Sequence, residues 1–113
     1  MKTEIQTDVT LAEGERGLVA QMQCDISIRN AAEVHRILLG AWKERPERGE
    51  LLVDLEQARH IDSSGIGALM ELVRDGIPLS LCNLQDSPRR LLERTGLSTL
   101  FRIYPVCAAV PVN

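Results

Sequence analysis

Apolar and polar residues alternate near the start of the chain and change to helical spacing further on. The alternation over residues 4–11 predicts a half-buried strand. A glycine-containing turn over residues 12–17 and a second strand-like run over residues 18–26 follow it. Two such runs joined by a short turn are typical of an antiparallel β-hairpin, which we predict here.

Helical spacing of apolar residues begins after this hairpin. Asn30 is a suitable N-cap, with Glu33 three positions later as in a capping box. Arg45 and Pro46 end the helix, because the residue before a proline avoids the α region. The apolar run of residues 50–55 then predicts a central strand that is covered on both faces.

The second half of the chain repeats the alternation of helix and strand. An amphipathic helix is predicted over residues 63–76 and a short strand over residues 79–84. Ser87 and Pro88 fit the N-cap and first residue of a third helix, and residues 100–104 fit a last strand. The predicted fold is α/β, with a mixed sheet of about five strands and helices mainly on one face. We expect a single domain over residues 1–113.

Charge and composition exclude several classes of function. The net charge is −3 and aromatic residues make up 3% of the chain, so neither a basic face nor a stacking surface for nucleic acid is expected. No apolar stretch reaches membrane-spanning length, and no secretory leader pattern opens the sequence. We therefore expect a cytoplasmic protein that neither binds nucleic acid nor inserts directly into a membrane.

Cysteine and histidine do not form a ligand pattern. Cys24, Cys82 and Cys107 contain no C-x-x-C pair, and their apolar surroundings predict small buried hydrophobic side chains. His35 and His60 lack the spacing of metal ligands. We predict no metal site.

The segment Ile-Asp-Ser-Ser-Gly-Ile-Gly at residues 61–67 carries the candidate chemistry. Ile61 and Gly65 stand two residues either side of Ser63, so the G-x-S-x-G elbow of a serine hydrolase is absent. The chain also lacks a Walker-type phosphate loop. We therefore predict that the protein is not an enzyme and has no catalytic residues.

The same segment fits a helix start. Ser63 is predicted as the N-cap of the second helix, a role worth about 1 kcal/mol. Gly65 and Gly67 would let the start of this helix pack against the sheet. A phosphate on Ser63 would suit the helix N-terminus, yet its added charge beside Asp62 would repel a docked partner. This combination indicates a switch controlled by phosphorylation.

The expected interface is the rim at the carboxyl ends of the parallel strands, where open α/β sheets usually bind their ligands. It comprises two residues at the end of the second strand, one at the first helix start and four of the motif: Asp25, Ser27, Asn30, Asp62, Ser63, Ser64 and Gly65.

Three segments together resemble the STAS domain, named from sulfate transporters and anti-sigma factor antagonists. Residues 51–72 resemble its signature, an apolar strand ending in Asp-Leu, a spacer, and Asp-Ser-Ser-Gly-hydrophobic-Gly opening a helix. Residues 24–34 are similar to its Gly-Glu-Leu-Asp/Thr segment, and residues 83–105 to its C-terminal strand, helix and strand.

The resemblance implies an anti-sigma factor antagonist. In free-standing antagonists of this family, the serine directly after the motif aspartate is phosphorylated, which corresponds to Ser63 here, with Ser64 the less favoured acceptor. The implied partners are an anti-sigma factor serine kinase, bound only by the unphosphorylated chain, and a phosphatase that acts on phosphorylated Ser63. ATP and Mg²⁺ would belong to the kinase, so no cofactor is expected on this chain.

Three departures from the family pattern support an alternative. Cys24 stands where the family prefers glycine, Ser27 stands where many phosphorylated members have aspartate, and the second helix is about one turn short. These departures favour a constitutive STAS subunit of a chemotaxis-linked signalling complex or a lipid-transport ATPase, never phosphorylated. A switch predicts that Ser63→Asp abolishes partner binding, whereas a constitutive subunit predicts modest effects.

Overall fold

The computed structural model describes residues 7–14 and 16–106. The helices and strands follow the predicted order, with a short 3-10 helix added before the last strand. Their bounds are β1 Val9–Glu13, β2 Gly17–Met22, α1 Ala31–Lys43, β3 Glu50–Asp54, α2 Ser63–Arg74, β4 Leu79–Cys82, α3 Asp86–Arg94, the 3-10 helix Leu97–Leu100 and β5 Arg102–Tyr104. The predicted first strand thus lies further along the chain, and its residues 4–6 fall outside the described part.

The five strands form one mixed sheet in the order β1-β2-β3-β4-β5. β1 and β2 are antiparallel, with Val9 opposite Met22, which confirms the predicted hairpin. The pairs β2–β3, β3–β4 and β4–β5 are parallel. The apolar run of β3 therefore occupies the centre of the sheet, as predicted.

Helices and strands share one hydrophobic core. Alternate residues of β2 are buried, and the half-buried Val19 and Gln21 lie between them on the opposite face of the sheet. The apolar stripes of the helices join the buried strand residues in a single cluster, which includes Leu18, Ala20, Met22, Val34, Leu38, Leu51, Val53, Ile66, Leu69, Leu72, Leu81 and Leu92. Burial of each large side chain contributes about 1.5–3 kcal/mol.

The helix ends test the capping predictions. Asn30 is the N-cap of α1, as predicted, and Gly76 follows the C-cap of α2 with φ of 89°. The predicted start of α3 is wrong, because the helix begins at Asp86 with Gln85 as its N-cap. Pro88 lies within the first turn, where a backbone N–H has no partner inside the helix and proline is therefore tolerated.

An ion pair lies at the end of the sheet opposite to the carboxyl ends of the parallel strands β2 to β5. Arg45, which follows α1, contacts the carboxylate of Glu13 at the end of β1, with 2.6 Å between Nη2 and Oε1. The hydrogen bond and positive charge of Arg45 lower the pKa of Glu13 despite a smaller opposing effect of desolvation. Among the described helices, none combines the length and apolar character needed to cross a membrane.

Candidate partner-binding site

Two loops meet beyond the carboxyl ends of β2 and β3. Ile26 and Ile61 form an isolated parallel bridge between these loops. The Ile26 N–H donates to the His60 carbonyl and the Asp62 N–H donates to the Ile26 carbonyl, both at 3.1 Å. The segments around Asp25 and Ser63 are therefore brought together, as the sequence predicted, although Asp25 lies on a loop because β2 ends at Met22.

Two aspartate carboxylates brace these loops. Asp62 Oδ1 accepts a hydrogen bond from the Gly65 N–H at 3.0 Å, and its Oδ2 accepts one from the Ile28 N–H at 3.1 Å. In return, Asp25 Oδ1 accepts from the His60 N–H at 3.1 Å. Each loop thus supplies a carboxylate to the backbone of the other.

The N-cap of α2 is Asp62, so the predicted capping role of Ser63 is wrong. Asp62 has the extended backbone of an N-cap residue, and its side chain accepts from Gly65. Ser63 is instead the first residue of the helix and is exposed. Its hydroxyl makes no hydrogen bond within the described residues. Ser63 therefore has no capping task that a modification would interrupt.

Asn30 supports the site from inside. Only 3% of its surface is exposed, which does not fit the predicted direct contact with a partner. Its Oδ1 accepts from the Ser27 N–H and its Nδ2 donates to the Asp25 carbonyl, each at 2.9 Å. These bonds occupy the amide, so the side chain does not cap α1 as the predicted capping box requires. Ser27 lies on the same loop, and its Oγ accepts from the Arg29 N–H at 3.2 Å.

The two glycines of the motif have different roles. A Cβ on Gly65 would lie 2.6 Å from Ile61 Cγ2 and 2.8 Å from the Ile26 carbonyl oxygen, so this position allows close packing, as predicted. Gly65 is buried, which does not fit the predicted direct contact with a partner. A Cβ on Gly67 would meet nothing within 4 Å, so the same prediction is wrong there.

The accessible part of the site is smaller than the predicted set. Asp25, Asp62 and Ser63 are exposed, and the half-buried Ser64 lines a groove between α1 and α2. Ile28, which is not in the predicted set, is 77% exposed on the loop before α1. The sequence held no signal of this exposure, because an apolar residue between a strand and a helix usually suggests burial.

No group within the described residues activates Ser63 as a nucleophile. His35 instead contacts Asp75, with 2.9 Å between Nε2 and Oδ2. Residues 7–14 and 16–106 also bring no three His, Cys, Asp or Glu side chains together as metal ligands. An exposed, unactivated hydroxyl is a group that another protein can modify.

The prediction that the cysteines are small buried side chains is wrong for Cys24 and correct for Cys82. Cys24 is partly exposed, and its sulfur accepts from the Asp8 N–H at 3.4 Å. Cys82 is fully buried, as predicted. Cys107 lies outside the described residues.

Comparison with known proteins extends these observations. A family model of the STAS domain matches residues 4–109. A candidate anti-sigma factor antagonist from Thermotoga maritima is 15% identical, with a TM-score of 0.79 and 88% of each chain covered. An anti-sigma factor antagonist from Mycobacterium paratuberculosis is 17% identical, with a TM-score of 0.78, covering 91% of this chain and 89% of the other.

A third solved structure is the Bacillus cell-fate determinant SpoIIAA in its phosphorylated form. It is 15% identical, with a TM-score of 0.63, and the match covers 91% of this chain and 96% of the other. At such identities the likeness of the structures concerns the fold. The family model, in contrast, spans nearly the whole sequence and includes both loops of the site. The chain therefore belongs to the STAS domain family.

Proposed function

We propose that this chain is a cytoplasmic anti-sigma factor antagonist that binds a kinase-type anti-sigma factor and loses this binding when Ser63 is phosphorylated. The main support for the proposal is the exposure of Ser63 and the lack of a hydrogen bond to its hydroxyl within the described residues. Ser63 occupies the first position of α2. The fold therefore leaves this hydroxyl accessible to a kinase.

The helix start is compatible with a phosphate. Neither Ser63 nor Ser64 has a hydrogen-bond partner for its backbone N–H within the described residues, as is usual for a first turn. An anion close to such N–H groups gains about 0.3–1 kcal/mol from the helix dipole. Asp62 already caps the helix through Gly65, so a phosphate would not have to replace the cap. We expect the phosphorylated chain to remain folded.

The docking surface would nevertheless change. A phosphoserine adds about 1.5–2 negative charges at neutral pH. The exposed carboxylates of Asp25 and Asp62 already lie on this surface. A partner that packs against Ser63 would have to desolvate the phosphate or meet it with new positive charge. The modification would therefore remove binding without removing the fold.

The rest of the proposal concerns the partners. The kinase-type anti-sigma factor supplies ATP and Mg²⁺, and a phosphatase restores the binding form of the chain. Solved relatives of the same fold include anti-sigma factor antagonists, and one of them, SpoIIAA, has a phosphorylated form. The chain itself performs no catalytic step in this proposal.

The test compares the binding of defined variants to purified kinase-type anti-sigma factors encoded by the source organism, measured by calorimetry. Ser63→Asp should weaken binding at least tenfold, whereas Ser63→Ala should bind like the wild type and accept no phosphate from ATP and Mg²⁺. Ser87→Asp is the matched control, because Ser87 is an exposed serine in the first turn of α3.

Equal affinity of Ser63→Asp, Ser87→Asp and the wild type would contradict the switch. That result would favour the constitutive binding subunit, which needs no modification. Absence of binding between the wild type and every such anti-sigma factor would contradict the proposed partner class altogether.

A further inference from the structure

Ile28 is the most exposed large apolar side chain in the described part of the protein, at 77%. It occupies the second position of a tight turn, in which the Asn30 N–H donates to the Ser27 carbonyl at 3.0 Å. The second position of such a turn favours proline and accepts most other residues, so the turn itself does not call for an aliphatic side chain. Neither burial nor turn geometry therefore accounts for isoleucine at this position.

The backbone around Ile28 is held firmly. Its own N–H donates to Asp62 Oδ2, and the Ser27 N–H donates to the buried Asn30 side chain. The Arg29 N–H donates to Ser27 Oγ. A side chain presented by a fixed backbone loses less conformational entropy when it binds, which makes it an efficient contact.

The side chain of Asp62 links the loop that carries Ile28 to the helix start that carries Ser63. The Asp62 carboxylate holds the Ile28 N–H through one oxygen and the Gly65 N–H at the start of α2 through the other. Ser63 follows Asp62 directly. The protruding isoleucine and the proposed phosphorylation site are thus held close together by this side chain, in addition to the Ile26–Ile61 bridge between the loops.

We propose that Ile28 is the apolar anchor of this surface and inserts into an apolar pocket of the kinase-type anti-sigma factor. The inference rests on the proposed function and specifies the chemistry of its interface. A single protruding aliphatic side chain requires a concave apolar counterpart. Asp62, which holds the Ile28 N–H, and the neighbouring Ser63 are exposed polar residues of the kind that form the rim around such an anchor.

The test measures the affinity of variants for an anti-sigma factor that binds the wild-type chain. Ile28→Ala should weaken binding at least tenfold and leave the urea midpoint of unfolding at the wild-type value. Ile103→Ala is the matched control. It removes the same atoms from a side chain that is 37% exposed on the edge strand β5, so it should leave the affinity unchanged.

The outcomes separate the inference from the proposed function. If Ile28→Ala binds as tightly as the wild type while Ser63→Asp does not bind, the anchor is refuted and the switch stands. If no kinase-type anti-sigma factor binds the wild type, both are refuted. A lowered unfolding midpoint for Ile28→Ala would make this residue a packing residue and overturn the inference. If the wild type is a dimer and Ile28→Ala is a monomer in sedimentation, Ile28 contacts a second copy of this chain and the inference is overturned.

Discussion

Replacement of Asp62 by alanine should destabilise the domain even though this side chain is exposed. The carboxylate accepts two backbone hydrogen bonds, one from Gly65 at the start of α2 and one from Ile28 on the neighbouring loop. Loss of an N-cap side chain costs about 1 kcal/mol. Loss of the second bond costs about another 1 kcal/mol.

The expected total for Asp62→Ala is therefore about 2 kcal/mol in the free energy of unfolding. For a domain of this size, that corresponds to a fall of roughly 6–12 °C in the melting temperature. Asp62→Asn keeps one oxygen acceptor and should lose about half of this amount. Ser63→Ala removes a hydroxyl without a hydrogen bond among the described residues, so its effect should stay within about 0.5 kcal/mol.

Urea unfolding followed by far-ultraviolet circular dichroism measures these differences. The slope of the transition should be the same in all four proteins, because the exposed surface of the unfolded chain hardly changes. The reasoning would be refuted if Ser63→Ala were the destabilised variant and Asp62→Ala were not. That result would mean that Ser63 caps the helix and that its hydroxyl is engaged in a hydrogen bond.

Two further predictions concern the glycines of the motif and the ion pair at the other end of the sheet. Gly65→Ala should destabilise the fold by about 1–3 kcal/mol because the added methyl group overpacks the site. Gly67→Ala places a methyl group in open space on a helix and should stabilise the fold by about 0.5–1 kcal/mol. Urea unfolding measures both changes, and a change of the same sign in the free energy of unfolding of both variants would contradict the packing described. Arg45 lowers the pKa of Glu13 in the folded protein, so this pair stabilises the fold above the unfolded-state pKa of Glu13 and its contribution is lost as the pH falls through the folded-state pKa. An NMR titration should show the pKa of Glu13 rising in Arg45→Gln, and an unchanged value would contradict the contact.

The sequence predicted the order of the elements because their periodicity is local. The apolar run of β3 and the helical stripe of α2 each lie within one segment, so neighbouring residues are enough to identify them. Boundaries were less accurate for α3, where Ser87 and Pro88 form a good start signal that a helix beginning at Asp86 also accommodates.

The choice between Asp62 and Ser63 as N-cap could not be made locally, since both residue types cap helices well. The Ile26–Ile61 bridge between the two loops determines which of these residues is the N-cap. The Asp62 N–H donates to the Ile26 carbonyl, which accompanies the extended backbone of Asp62, and Ser63 then begins the helix. This contact joins residues that are far apart in the sequence.

The surroundings of Ile28 and Gly67 also depend on the assembled fold. An apolar residue between a strand and a helix usually suggests burial, and only the three-dimensional arrangement shows that Ile28 protrudes. Gly67 resembles Gly65 in the sequence, but only Gly65 faces the closely packed residues of the adjoining loops. The sequence therefore predicted which two loops meet, whereas the exposure and packing of individual residues depend on the assembled fold.

The most direct test of the phosphorylation switch is the intact mass of the protein isolated from its own cells, with fragmentation to locate any phosphate. The proposal predicts a population that carries one phosphate, on Ser63, and whose share changes with growth conditions. A chain that stays unmodified under all conditions, or one phosphorylated on Ser64 with Ser63 free, would contradict it.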